Sequence, residues 1–116
     1  MFEGMDNDLR RRWAAALRSD EYRQGRTCLC DEKNQFCCLG VLLDIEYDGY
    51  WTRKDKDENW RINGFGQTLV TSFRYVIGMN TFEESYLMSA NDYGYTFSEI
   101  ADLIDPDNDI GSLPEL

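Results

Sequence analysis

Apolar side chains recur along this chain in two rhythms, and the changes of rhythm divide it into elements. Leu9, Trp13, Ala16 and Leu17 share one helical face, while Arg10, Arg11, Arg12 and Arg18 fall largely elsewhere. Asp6 or Asn7 can cap the start and Gly25 lies past the end, so a first helix is expected over about residues 7–20, with Tyr22 folded back onto its end. Thr27-Cys28-Leu29-Cys30 reads as a short strand. The polar turn Asp31-Glu32-Lys33-Asn34 and the return through Gln35-Phe36 make a small hairpin. From Phe36 to Asp44 the chain is apolar almost all round, and length alone does not separate strand from helix. Leu39, Leu42 and Leu43 form an i, i+3, i+4 set, which favours a buried central helix against Trp13 and Leu17. Gly40 would let a second helix approach it closely.

Between Tyr47 and Ile62, Tyr50, Trp51, Thr52, Trp60 and Ile62 flank the charged stretch from Arg53 to Asn59, the pattern of a hairpin with a solvated loop. Gly64 and Gly66 then break the chain before a short amphipathic segment, Leu69 to Ile77. Two helices follow, each opened by a Thr-x-x-Glu capping box, Thr81 to Glu84 and Thr96 to Glu99. Phe97, Ile100, Ala101 and Ile104 form the apolar stripe of the second, which Asp105-Pro106 ends. The expected architecture is α+β: a single small domain over residues 1–104 with a helix-dominated core and two short β-hairpins, then a mobile acidic C-terminal tail over 105–116. No internal repeat divides it.

Composition narrows what such a domain would do. At 116 residues the chain has room for one modest core, and 14% aromatic content is enough to fold it. Its 22 acids and 12 bases give a formal charge of −10, which argues against a wide basic face for nucleic acid. The surplus is uneven. Residues 1–30 sum to +1 and 31–60 to −4, 61–90 balance, and 91–116 carry seven acids and no base. A field concentrated on the hairpin region and the C-terminal end would attract a basic partner surface. The longest apolar run, Phe36 to Leu43, has eight residues, against about 20 for a membrane span. With no visible signal peptide, a soluble cytoplasmic protein with reduced thiols is expected.

Four constellations are candidates for chemistry. Cys28, Cys30, Cys37 and Cys38 offer enough thiolates for a tetrahedral zinc, but their spacing is poor for it, and small buried side chains are the simpler reading. A cysteine nucleophile needs a base, normally His, and the sequence has none. Asp105-x-Asp107-x-Asp109 begins like a calcium loop, yet the sixth position is Ile110 and the twelfth Leu116. Leu87 to Ile104 resembles the first half of a helix-turn-helix. The recognition helix is missing, and the acids that follow would repel DNA, so a packing corner is the reading favoured here.

Arg12-Trp13, Ala16-Leu17-Arg18-Ser19, Tyr22, Gln24-Gly25 and Phe36-Cys37-Cys38-Leu39-Gly40-Val41-Leu42 together resemble the opening of a family of small, mostly uncharacterised bacteriophage and prophage proteins. Asn91-Asp92, Gly94, Phe97, Glu99-Ile100-Ala101-Asp102 and Ile104 are similar to its close. The resemblance covers most of residues 12–104, but not the middle from Glu46 to Gly66. It implies a phage origin and carries no activity onto particular residues.

The first functional expectation is therefore a non-enzymatic phage accessory protein. It would bind and inhibit a host defence or nucleic-acid-processing protein through an acidic, nucleic-acid-mimicking surface. Its contacts would be Asp55, Asp57 and Glu58 at the hairpin tip and Asp102, Asp105, Asp107 and Asp109 at the C-terminal end. It would use no cofactor, bind no nucleic acid directly and touch no membrane. The second is an oligomeric protein that sequesters a small ligand such as a signalling nucleotide. Tyr50, Trp51, Trp60, Tyr93 and Tyr95 would stack a base, and Arg61 or Arg74 would hold phosphate. The third is a small structural zinc protein built on the four cysteines.

Overall fold

Helix α1 (Asn7–Arg18) starts where Asp6 accepts the Leu9 amide at 3.1 Å. It stops two residues before the expected end because Ser19 turns extended, with its hydroxyl donating to the Ala16 carbonyl at 2.7 Å. The computed structural model describes residues 1–26, 29–31, 33–46, 53–54, 60–61, 71–108 and 110–116, with 53–54, 60–61 and 71–73 described by their backbone. Leu9, Trp13, Ala14 and Leu17 are the buried face of α1.

Among the described residues, the first hairpin shows as an antiparallel bridge between Cys30 and Phe36, with the Asp31 amide donating to the Gln35 carbonyl at 2.9 Å and the Cys37 amide to the Leu29 carbonyl at 3.3 Å. Strand β2 (Gln35–Phe36) also pairs in parallel with β1 (Arg23–Gln24), a pairing not expected. The Asp31 carboxylate takes the Lys33 and Gln35 amides at 2.8 and 2.9 Å, and Asn34 turns left-handed at φ 57°. This side-chain turn competes with a longer ladder. Thr27 and Cys28 lie outside the described residues. The Tyr22 ring meets Phe36 edge-on at 5.2 Å, and its hydroxyl donates to Asp44 at 2.6 Å.

The apolar run is a helix, α2 (Cys38–Glu46), buried from Cys38 to Leu43. It packs on α1, where the Trp13 indole N–H donates to the Cys38 carbonyl at 2.9 Å. Gly40 does admit a close neighbour, though not a helix: a Cβ there would overlap the Leu29 carbonyl oxygen. The second hairpin is present as β3 (Arg53–Lys54) antiparallel to β4 (Trp60–Arg61). Strand β3 thus lies inside the stretch expected to be loop, while β4 falls on the expected flank.

Helix α3 (Thr71–Ile77) turns into α4 (Thr81–Asp92), and the capping box between them sits one residue earlier than expected. Asn80, not Thr81, is the cap, and Glu83, not Glu84, completes the box, with reciprocal bonds at 2.8 and 3.0 Å. With the box in this position, the other Glu83 carboxylate oxygen also accepts the Phe2 amide and fastens the N-terminal residues to α4. Phe2 is fully buried, and Gly4 and Gly78 pass so closely that a Cβ on either would overlap the other's backbone. The Thr96 to Glu99 box opens α5 (Phe97–Ile104) as expected.

The fold is α+β. Its core joins Trp13 and Leu17 of α1, Leu39 and Leu42 of α2, Leu87 of α4 and Ile100 and Ile104 of α5, with α5 laid along α1. Residues after α5 touch the rest of the domain. Leu113 packs against the core and the Tyr86 hydroxyl donates to the Pro114 carbonyl at 2.5 Å. No helix among the described residues is long and apolar enough to cross a membrane.

Candidate functional site

The arginines of α1 and the carboxylates at the end of α5 face one another because α1 and α5 bury adjoining apolar stripes. Arg11 lies one face away from the core stripe and Arg18 two turns further on, so both reach the strip where α5 ends. Arg11 grips both oxygens of Asp107, through Nε at 2.9 Å and Nη2 at 3.2 Å, and also reaches Asp8 at 3.0 Å. Arg18 divides its two terminal nitrogens between Asp105 at 2.7 Å and Asp102 at 2.8 Å. Arg10 donates to the Ile104 carbonyl at 2.8 Å, which satisfies an otherwise open helix end.

These pairs set the electrostatics of the strip. Hydrogen bonding to Asp107 and its charge hold the Arg11 guanidinium more firmly protonated than usual, and Asp102 and then Asp105 do the same for Arg18. The Arg18 hydrogen bond, with the Asp107 amide, lowers the Asp105 pKa below its ordinary value. Asp105 and Asp107 thus turn to arginines and do not converge on a common cation site. Asp102 and Asp107 keep 56% and 64% of their side-chain surface exposed, whereas Asp105 keeps 15%. Of the expected partner contacts, the structure joins Asp102, Asp105 and Asp107 in one strip. Asp55, Asp57, Glu58 and Asp109 lie outside the described residues. The loop over 53–59 holds three bases and three acids, so as sequence it is balanced, not acidic.

The second constellation is not assembled among the described residues. Arg74 sits near the start of α4, 4.0 Å from Glu84 and donating to the Met79 carbonyl at 3.5 Å. Tyr93 is 79% exposed at the other end, about 18 Å away along the helix. Tyr95 is half-buried against the core. Tyr50 and Trp51 lie outside the described residues, as do the side chains of Trp60 and Arg61.

The described cysteines are core residues. Cys30, Cys37 and Cys38 are buried, and the Cys38 thiol donates to the Leu87 carbonyl at 3.6 Å. Burial, reinforced by neighbouring Cys37, pushes the Cys38 thiol well above its ordinary pKa, which favours the protonated thiol. Among the described residues no group of three His, Cys, Asp or Glu side chains could hold a metal ion. Cys28 lies outside them.

One polar cluster was not anticipated. Asn91, fully buried on α4, donates to the Gly25 carbonyl at 2.8 Å and accepts from the Cys38 amide at 3.2 Å and from Gln24 at 3.0 Å. Gln24 in turn donates to the Tyr95 carbonyl at 2.7 Å and accepts the Phe97 amide at 3.1 Å. The Gln24-Gly25, Cys37-Cys38 and Asn91-Asp92 blocks of the sequence thus meet at one point and fix the ends of α2, α4 and α5. The cluster is internal, with its polar atoms paired, and its work is structural.

What emerges is a small helix-centred α+β domain with a buried amide hub and an arginine–carboxylate strip on its surface. Residues 5–82 match the family model described as a domain of unknown function, DUF8296, and the chain belongs to that family. No curated protein and no solved structure matches the chain. The matched span holds all twelve bases and twelve acids, so it is formally neutral, and the ten remaining acids all lie outside it. Nine of those ten are in residues 83–116, which include α5 and the carboxylates of the strip.

Proposed function

We propose that this chain is a phage-encoded, non-enzymatic accessory protein that binds and inhibits a host protein with a basic surface, in the host cytoplasm. The partner would belong to the host's defence or nucleic-acid-processing machinery. Its phosphate-binding surface would accept the carboxylates of the C-terminal third in place of nucleic acid. The observation that carries this reading is the location of the charge. The whole surplus lies outside the neutral family-matched span, and Asp102 and Asp107, each paired with an arginine, keep more than half of their side chains exposed. Arg11 and Arg18 hold these groups at defined positions, as a phosphate-mimicking row requires. The phage origin rests on the resemblance of the Trp13, Phe36–Leu42 and Asn91–Ile104 blocks.

Affinity capture from host lysate, run with the unsubstituted chain and with D102N/D107N, tests the reading. The expected result is a basic protein that is released by moderate salt and missing from the variant's eluate. Capture that survives both salt and the substitutions would overturn it.

A further inference from the structure

We propose that the outer row of α1, Arg11 and Arg18, is an anion-binding face for a phosphodiester strand, and that Asp102, Asp105 and Asp107 occupy it in cis as an internal ligand. The inference needs no partner protein, so it stands apart from the proposed function although it involves the same carboxylates.

The geometry is that of a filled site. Arg11 and Arg18 are seven residues apart, which puts them on the same side of the helix about 10 Å from one another. The parallel bonds from Arg11 to both oxygens of Asp107 at 2.9 and 3.2 Å are the two-pronged grip by which a guanidinium also takes a phosphate. Arg18 spreads its two nitrogens over two separate carboxylates, at 2.7 and 2.8 Å, as it would over two oxygens of a backbone. The flanking arginines are engaged differently. Arg12 pairs with Glu46 at 2.6 Å, while Arg10 lies over the Phe2 ring and holds the Ile104 carbonyl. The face is thus defined by Arg11 and Arg18.

The occupation is exchangeable. The Arg11–Asp107 and Arg18–Asp102 pairs are exposed on both sides, and such ion pairs contribute little to stability and yield to salt, while Asp105 at 15% is the enclosed member. Helix α5 buries Phe97, Ile100, Ala101 and Ile104, so its docking has an apolar basis besides these pairs. The two arginines belong to the family-matched span, and the three acids that cover them lie outside it. Asp8, inside the span, also pairs with Arg11 at 3.0 Å, and the remaining carboxylates on the row come from outside it.

Fluorescence anisotropy of a labelled single-stranded oligonucleotide at low ionic strength tests this. DNA and RNA of the same sequence are the two probes. D102N/D105N/D107N is expected to bind at least about tenfold more tightly than the unsubstituted chain. A charge-matched control, D20N/E21Q/E115Q, should remain within about threefold of the unsubstituted chain, because only the local cover matters. Adding R11Q/R18Q to the first variant should abolish the gain. Equal gain in the two charge-matched variants would overturn the proposal. So would no gain in a D102N/D105N/D107N protein that keeps the native circular dichroism. If that protein fails to fold, D107N alone must show a smaller gain of the same sign, and its absence overturns the proposal too. Equal gain with DNA and RNA supports backbone recognition, and gain confined to one of them contradicts it.

Discussion

The Asn91 hub and the arginine strip are both polar, and both join segments distant in sequence, yet they do opposite things to the molecule. At the hub, one fully buried amide satisfies Gly25, Gln24 and the first amide of α2, away from water. At the strip, guanidinium and carboxylate groups meet where water competes for each of them. Removing a partner from the hub strands buried donors and acceptors, whereas removing one from the strip returns a charge to solvent. Burial, and not the number of hydrogen bonds, decides which region holds the fold and which is available to an outside ligand.

The contrast is most exposed to test at the hub. Asn91→Leu should strand the Cys38 amide and the Gly25 carbonyl, at about 1–3 kcal/mol each, and take one of its two acceptors from the Gln24 amide, a loss of about 3 kcal/mol or more in urea unfolding. Glu83→Ala should rank next. It removes the acceptor shared by the Phe2 and Asn80 amides and half of a capping box, for about 2 kcal/mol, with faster hydrogen exchange in residues 1–5. Arg18→Gln should cost less than about 1 kcal/mol in low salt, and still less as salt is added.

Acid gives the smallest effect, and its sign is defined. Asp105 has a lower pKa in the folded chain than when unfolded, chiefly because of the Arg18 hydrogen bond. Its contribution is therefore full above the ordinary carboxylate range and lost as pH falls through the folded value. Carboxyl NMR should find the Asp105 titration moved up toward the ordinary value in Arg18→Gln. An unmoved titration would show that Arg18 is not the cause.

The helices were legible wherever spacing and caps are local properties. The stripe of Leu9, Trp13 and Leu17, the block from Leu39 to Leu43 and the Thr96 to Glu99 box each carry their own signal within a few residues. The cap of α4 was misplaced because Asn80 and Thr81 can both cap, and each has an acidic residue three positions on. What selects Asn80 is the long-range bond from Glu83 to Phe2. The parallel pairing of β1 with β2 was hidden for a similar reason: strands of two residues have no periodicity to read.

For the candidate site, the sequence shows a charge asymmetry but not its geometry. Four arginines fall between Arg10 and Arg18, and seven acids with no base in 91–116. The two ends of the chain are complementary in charge, and α1 lying along α5 turns that into ion pairs. Asn91 carried no signal of its own. A lone Asn near a helix end reads as a cap or turn residue until the chain folds three segments around it.

Urea unfolding of D102N/D105N/D107N beside Asn91→Leu tests the division of labour most directly. The strip variant is expected to keep nearly the midpoint of the unsubstituted chain, while the single hub substitution moves it far down or abolishes the transition. A strip variant as unstable as the hub variant would contradict this division, because those carboxylates would then be scaffold and not surface.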